Sequence, residues 1–133
     1  DVWLVRTDSE GKILWQQTYD QLSGGTSKRI FDECYGVQQT SDGGFVLACG
    51  SGIEPDNVDD EESFDTIWSA CLLKTDGLGV PCWTYVFHQP ESGHNACEWA
   101  IPFGDKEYLM LLDSDHLGDA EPSNVGFIYL HDK

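Results

Sequence analysis

The chain has 133 residues, with 7 basic and 24 acidic side chains and a formal net charge of -17. Such an excess of negative charge opposes contact with nucleic-acid phosphates or anionic lipids, so we expect neither nucleic-acid binding nor membrane insertion. A hydrophobic fraction of 40%, with 12% aromatic residues, argues against a disordered chain. The length suits one domain with a core of its own.

The chain opens on a predicted β-hairpin within residues 1–20. The apolar run Trp3–Thr7 leads to Asp8 and Gly11, and Trp15 follows. The spacing of Asp8 and Gly11 predicts a type I turn followed by a glycine in the left-handed backbone region. We assign this hairpin to the third and fourth strands of a four-stranded unit.

Residues 31–88 predict one complete four-stranded unit. Its apolar runs are rich in Val, Ile, Tyr, Phe and Trp and are separated by Gly, Asp and Ser turns, which is typical of antiparallel β structure. We place its strands at about Cys34–Thr40, Phe45–Cys49, Thr66–Lys74 and Val80–Phe87. The turn between the first two strands is predicted at Ser41–Gly44.

The opening hairpin returns with a constant offset of 68 residues, so that Asp76 and Gly79 repeat Asp8 and Gly11. A constant offset with the same chemistry indicates a repeated supersecondary unit. Residues 94–133 repeat the first three strands more loosely. If Trp99 is matched to Tyr35, the offset falls from 64 to 63 along this part, and we interpret this as one residue lost from the turn.

Four antiparallel strands, repeated about every 65 residues, predict an all-β chain made of β-propeller blades. The chain holds an incomplete set of about two to three blades, because residues 1–20 supply two strands, 31–88 four and 94–133 three. A closed ring typically needs ~4 to 8 blades. We therefore expect completion by missing blades of the same protein or by other copies of the chain.

Two stretches carry a resemblance to a known family. The first matches at Trp3, Leu4, Arg6, Thr7, Asp8, Gly11 and Trp15, and the second at Asp32, Glu33, Gln39, Thr40, Asp42, Gly43, Gly44 and Phe45. These residues resemble the tandem repeats of β-propeller proteins on bacterial surfaces and among bacterial secreted proteins, closely over 1–50 and weakly from 94 onward. The resemblance implies an extracellular scaffold or binding role, and it brings no catalytic residues.

The chain contains five cysteines, none with the two-residue spacing of a zinc ribbon or redox motif. This count favours an oxidising compartment, and we expect the protein to be extracellular or at the cell surface. Two disulfides with one cysteine left over is the simplest arrangement, and Cys34/Cys49 and Cys71/Cys82 each bracket a predicted hairpin. Cys34/Cys97 is the rival pairing, and buried free thiols are the other alternative.

Two acidic stretches occupy the same point in successive repeats, at 54–65 and 113–121. Carboxylates at nearby positions offer hard oxygen ligands to calcium, and the candidate ligands are Asp113, Asp115, Asp119 and Glu121. The complete twelve-residue calcium loop is absent, so a solvated acidic loop is the alternative. Calcium is the one cofactor that the sequence suggests.

No nucleophile elbow, phosphate-binding loop or nicotinamide motif is present in the sequence. The sequence therefore predicts a non-enzymatic structural or adhesive module that belongs to a larger surface protein or a repetitive assembly. A calcium-dependent module that binds carbohydrate or protein is the alternative. A glycosidase-type propeller enzyme is a third possibility, which only the fold suggests.

Overall fold

The computed structural model describes residues 1–24, 30–53, 66–88, 93–114 and 124–132. In these ranges the protein is all-β, and no helix of the length and apolar character needed to span a membrane occurs in them. The strands are β1 Val2–Thr7, β2 Ile13–Tyr19, β3 Ile30–Gln39, β4 Phe45–Ile53, β5 Ile67–Thr75, β6 Pro81–Phe87, β7 Asn95–Phe103, β8 Glu107–Ser114 and β9 Asn124–His131.

The strands form three antiparallel sheets, each in simple sequence order: β1-β2, then β3-β4-β5-β6, then β7-β8-β9. We call these the first, middle and third sheets. The prediction of antiparallel β structure is confirmed. The first strand of the middle sheet starts earlier than expected, at Ile30, and its neighbour extends to Ile53, so this strand pair is longer than the apolar runs alone indicated.

The repeat of 68 residues is visible in the strand registers. Arg6 lies opposite Trp15 in the first sheet, and Lys74 lies opposite Trp83 in the middle sheet. The register shifts immediately after Arg6 and again immediately after Lys74, so both hairpins carry the same irregularity at the same place. The two hairpins therefore share both their residue types and their backbone irregularity, at positions 68 residues apart.

The two hairpin turns are built alike, as predicted. The Asp8 carboxylate accepts hydrogen bonds from the backbone N–H groups two and four residues later, at 3.0 and 2.9 Å. The Asp76 carboxylate accepts the equivalent pair at 2.8 and 2.9 Å. Gly11 and Gly79 have φ angles of 84° and 78°, the left-handed conformation that glycine adopts without steric cost.

The expected change of offset between the middle and third sheets is wrong. Cys34 lies opposite Cys49 and Cys97 opposite Leu112, and in both strands a bulge follows the cysteine. The offset is therefore 63 throughout, and Trp99 corresponds to Gly36 rather than to Tyr35. The aromatic character of Trp99 and Tyr35 suggests that they match, whereas the bulge fixes which residues are equivalent.

The middle sheet is buried on both faces. Side chains alternate between the two faces of a strand, so alternate residues of β4 and β5 enter different cores. One core joins Leu47, Cys49, Cys71 and Leu73 to Val2, Tyr19 and Leu22 from the first sheet and the segment after it. The other joins Val46, Ala48, Ala70 and Leu72 to Cys97, Ala100, Tyr108, Met110 and Leu112 of the third sheet. The three sheets are thus stacked face to face.

Alanine substitutions at Gly11 and Gly79 will show how much of the loss in unfolding free energy comes from backbone strain and how much from contact between the sheets. A Cβ atom at Gly79 would lie 2.9 Å from the Trp15 ring of the first sheet, whereas a Cβ atom at Gly11 would meet nothing within 4 Å. Gly11→Ala is expected to lower the free energy of unfolding by about 1–2 kcal/mol, the cost of a left-handed non-glycine residue. Gly79→Ala should lose about 1–3 kcal/mol more through overpacking.

Urea denaturation of both variants measures this difference. Equal losses at the two positions would show that Trp15 does not press against the Gly79 turn in solution.

Candidate functional site

The third sheet presents an apolar face on the side away from the middle sheet. The register aligns Trp99 of β7 with Leu111 and Phe127 in one row across the three strands. We define the outer face as Ile101, Phe103, Leu109, Leu111, Val125, Phe127 and Tyr129, because the Trp99 ring instead approaches Gly36 of the middle sheet. Phe127 and Val125 are 67% and 68% exposed. A contiguous exposed apolar surface of this kind marks an interaction site far more often than scattered single residues do.

The repeat shows what this face corresponds to. At the offset of 63, Leu109 and Leu111 are equivalent to Val46 and Ala48 of the middle sheet. Val46 and Ala48 are completely buried, because the third sheet packs on them. The outer face therefore occupies the positions that the middle sheet uses to hold its neighbour.

The third sheet also has a free edge. Among the described strands β9 pairs only with β8, whereas β5, its counterpart in the middle sheet, pairs on one side with β4 and on the other with β6. No described strand pairs with the outer side of β9, and an unpaired strand edge can take up another strand. Strand β9 carries the exposed Phe127 and Tyr129, so the unpaired edge of β9 lies directly beside the outer face.

A polar cleft lies where the turns of the middle and third sheets meet. Its volume is about 360 Å³, and it is lined by Thr40, Ser41, Asp42, Pro102, Gly104, Asp105, Lys106, Tyr108 and Asp132. The Ser41 hydroxyl and an Asp105 carboxylate oxygen, 3.2 Å apart, hydrogen-bond across the two turns. The turn between β3 and β4 and the turn between β7 and β8, which bound the cleft, are therefore held together by a direct hydrogen bond.

Asp42 is the most strongly engaged acid of the cleft. Its carboxylate accepts hydrogen bonds from the Lys74 ammonium at 2.8 Å, from the Gly44 backbone N–H at 3.0 Å and from the Thr40 hydroxyl. These contacts, with Lys74 contributing most, hold the pKa of Asp42 well below its ordinary value of 3.8. Asp42 therefore fastens the turn to the end of β5 and is not poised for acid-base chemistry near neutral pH. Lys74 was not among the residues singled out from the sequence.

Tyr108 is one of the residues that line the cleft. Its ring meets Trp83 edge to face with centroids 5.3 Å apart, and the Trp83 indole N–H donates a hydrogen bond of 3.0 Å to Asp132. Burial, followed by the negative charges of Asp42 and Asp132, raises the pKa of the Tyr108 phenol. The phenol therefore stays protonated, and it serves packing between the two sheets.

Of the four candidate calcium ligands, the structure describes Asp113 alone, because Asp115, Asp119 and Glu121 lie outside the described residues. Asp113 is the penultimate residue of β8, and its Oδ1 atom is buried and has no hydrogen-bond partner among the described residues. Within the described ranges, no three His, Cys, Asp or Glu side chains are grouped closely enough to hold a metal ion. The calcium site stays a prediction.

All five cysteines are free thiols, so the disulfides expected from the sequence are not formed in this structure. Cys71 lies opposite Val86 rather than Cys82. The physical reason is the turn position: the strands of this hairpin begin to pair at Thr75 and Pro81, which leaves Cys71 four residues from the turn and Cys82 only one.

The rival pair, Cys34 and Cys97, occupies equivalent bulges. Each thiol donates to the backbone carbonyl two residues later, at 3.4 Å to Gly36 in one case and 3.4 Å to Trp99 in the other. Burial, the largest influence on it, raises the pKa of Cys97 to about 12. Both thiols therefore hydrogen-bond their local backbone, and neither of these two hydrogen bonds joins Cys34 to Cys97. Cys34 and Cys49, by contrast, lie opposite each other in β3 and β4.

No protein-family model, curated protein or solved structure matches the chain. The resemblance to bacterial propeller repeats therefore stays a prediction from the quoted motifs. What the chain does has to be inferred from the outer face, the free edge of β9, the cleft and the cysteines.

The ion pair between Asp42 and Lys74 predicts a specific acid sensitivity. A lowered pKa in the folded state means that the contribution of Asp42 to stability is complete above about pH 5 and is lost as the pH falls through and below 3.8. Because the Asp42 side chain is 62% exposed, we expect Asp42→Asn to lower the free energy of unfolding at pH 7 by only about 1 kcal/mol.

The measurement is urea denaturation of wild type and Asp42→Asn between pH 7 and pH 2, where the difference should shrink with falling pH. Lys74→Met provides the matched background, in which Asp42→Asn should have little further effect. A difference that is constant across this pH range would contradict the assigned role of Asp42.

Proposed function

We propose that this protein is a non-enzymatic structural and adhesive module of the β-propeller type, which acts outside the cell and assembles by stacking further sheets on its outer face. These sheets belong to the same protein or to other copies of the chain. The observation that carries the proposal is the equivalence between the outer face and the buried face of the middle sheet.

Burial of apolar area supplies the driving force. Covering a side chain such as Phe127 or Ile101 contributes about 1.5–3 kcal/mol, and the outer face holds several such side chains in adjacent rows. The free edge of β9 adds backbone hydrogen bonds to any strand that aligns beside it. A further repeat can supply both contacts, with one strand pairing beside β9 and another sheet covering the outer face, which favours a repeat over a small ligand.

Charge sets the condition under which copies of the chain associate. Each copy carries a net charge of -17, so long-range repulsion opposes association until salt screens it. At about 0.15 M salt the screening length is about 8 Å, and the short-range apolar contact then dominates. Self-association is therefore expected to strengthen, not weaken, as salt is raised from low ionic strength.

Size-exclusion chromatography with light scattering tests the proposal. The wild-type chain should form concentration-dependent oligomers at 0.15 M salt, and Phe127→Asp should reduce them at least tenfold in apparent affinity because it places a charge within the contact. The matched control is Leu78→Asp, since Leu78 is 65% exposed but lies in the Asp76 turn away from the outer face.

A second pair, Phe127→Lys and Leu78→Lys, distinguishes lost contact from added negative charge. The Phe127 variant should again weaken association, and the Leu78 variant should not. A wild-type chain that stays monomeric at its highest soluble concentration would contradict the proposal.

The second candidate is a calcium-dependent module that binds carbohydrate or protein. The buried Asp113 oxygen without a hydrogen-bond partner favours it, because an unsatisfied buried carboxylate oxygen is costly and a cation would satisfy it. Asp113 also begins the acidic stretch 113–121. Calcium would thus reduce repulsion between neighbouring carboxylates at this end of β8.

Calorimetric titration with calcium, together with thermal unfolding, tests this candidate. We expect calcium to raise the melting temperature and Asp113→Asn to weaken binding at least tenfold, because one anionic ligand is lost. Asp105→Asn is the control, since Asp105 lies in the turn between β7 and β8, at the opposite end of β8 from Asp113, and hydrogen-bonds Ser41. Absence of both heat and a thermal shift in the wild type would remove this candidate.

A further inference from the structure

We propose that Cys34 and Cys49 form a redox-responsive thiol pair, which a low-molecular-weight disulfide converts into a disulfide linking β3 to β4. The inference is independent of the stacking function proposed above. It rests on the placement of the two side chains and on their unequal access to solvent.

The geometry suits a cross-strand bond. Cys34 and Cys49 lie directly opposite each other in adjacent antiparallel strands. Residues in such positions have Cβ atoms about 4.5–5.5 Å apart, close to the separation of about 3.5–4.5 Å that a disulfide requires. The Cys34 thiol donates a hydrogen bond to the Gly36 carbonyl at 3.4 Å, at the bulge beside Cys49. A disulfide therefore needs the two Cβ atoms to approach by about 1 Å.

The neighbouring thiols are less suited to the reaction. Cys49 also lies opposite Cys71 in β5, so three cysteines form a row across the sheet. Cys71 is completely buried, however, and burial raises its pKa to about 12. Cys34 is exposed and can meet an oxidant in solution. Cys34 therefore reacts first, and Cys49 is the thiol that lies beside it.

Exposure and the pKa shifts give the two thiols different roles. The neighbouring Cys49 side chain is the largest influence on the exposed Cys34, whose pKa it lowers, and the thiolate is the nucleophile in disulfide exchange. The Cys34 side chain, together with burial, raises the pKa of Cys49 and keeps that thiol protonated. Once Cys34 has reacted, its negative charge is gone, and the proton of Cys49 is then easier to remove.

The reaction balances as two exchanges. The Cys34 thiolate attacks one sulfur of oxidised glutathione, forms a mixed disulfide and releases one glutathione thiolate. The Cys49 thiolate then attacks the Cys34 sulfur and releases the second glutathione. Two protein thiols are oxidised, one small disulfide is reduced to two thiols, and the two cysteine protons pass to the released thiolates.

The bond would close the hairpin that carries the Thr40–Gly44 turn. This turn holds Asp42 against Lys74 and forms one wall of the polar cleft. Because a cross-link reduces the freedom of the unfolded chain, oxidation should stabilise the hairpin. We therefore expect oxidised protein to melt at a higher temperature than reduced protein.

The test uses Cys82→Ser protein, which removes the other exposed thiol. This protein is incubated with oxidised glutathione, its remaining thiols are blocked with N-ethylmaleimide, and its peptides are mapped by mass spectrometry. The expected result is the loss of two thiols and a linked Cys34–Cys49 peptide. In the same background, Cys49→Ser should stop at a mixed disulfide on Cys34, and Cys34→Ser should gain no glutathione.

A second measurement needs no change at Cys49. In wild-type protein at pH 7, alkylation of Cys34 should be several-fold faster than alkylation of Cys71, because Cys34 is exposed and Cys71 is completely buried. Slower alkylation of Cys34, a Cys34–Cys97 or Cys49–Cys71 linkage, or two thiols that stay reduced under oxidised glutathione would each overturn the proposal.

Discussion

The alternation of side chains in β4 and β5 is the constraint on which the rest of the structure depends. These strands carry apolar residues at successive positions, so both faces of the middle sheet must be covered to remove them from water. The first sheet covers one face and the third sheet the other. A sheet with only one apolar face would need one neighbour, whereas this repeat needs two.

That requirement extends to the third sheet. Its β8 strand also has apolar side chains on both faces: Tyr108, Met110 and Leu112 are buried against the middle sheet, and Leu109 and Leu111 lie on the outer face. The same pattern thus calls for a second neighbour here too. The stacking proposal follows from this pattern, and the free edge of β9 agrees with it.

Local chemistry explains which parts were predictable from the sequence. The Gly11 and Gly79 turns depend on an aspartate and a glycine close together in the chain, so both were predictable. The turn before β8 uses Gly104 and Lys106 at positive φ angles of 62° and 70°, in place of an Asp-Gly-Gly sequence. The partners of Cys71 and Asp42 could not be predicted, because they depend on register and on packing between distant residues.

One repeated position shows how the sheets differ where they meet. Arg6, Lys74 and Tyr129 are equivalent residues of the three sheets. Arg6 and Lys74 lie opposite the equivalent residues Trp15 and Trp83. Lys74 and Tyr129 lie opposite the equivalent residues Val46 and Leu109. Arg6 donates to the carbonyl of Gly77 in the next sheet, and the buried Lys74 donates to Asp42 in the turn between β3 and β4. In the third sheet an aromatic side chain replaces the cation, and its hydroxyl donates to Glu107. On the face that has no neighbour among the described residues, a tyrosine thereby stands where the middle sheet has the ion pair between Lys74 and Asp42.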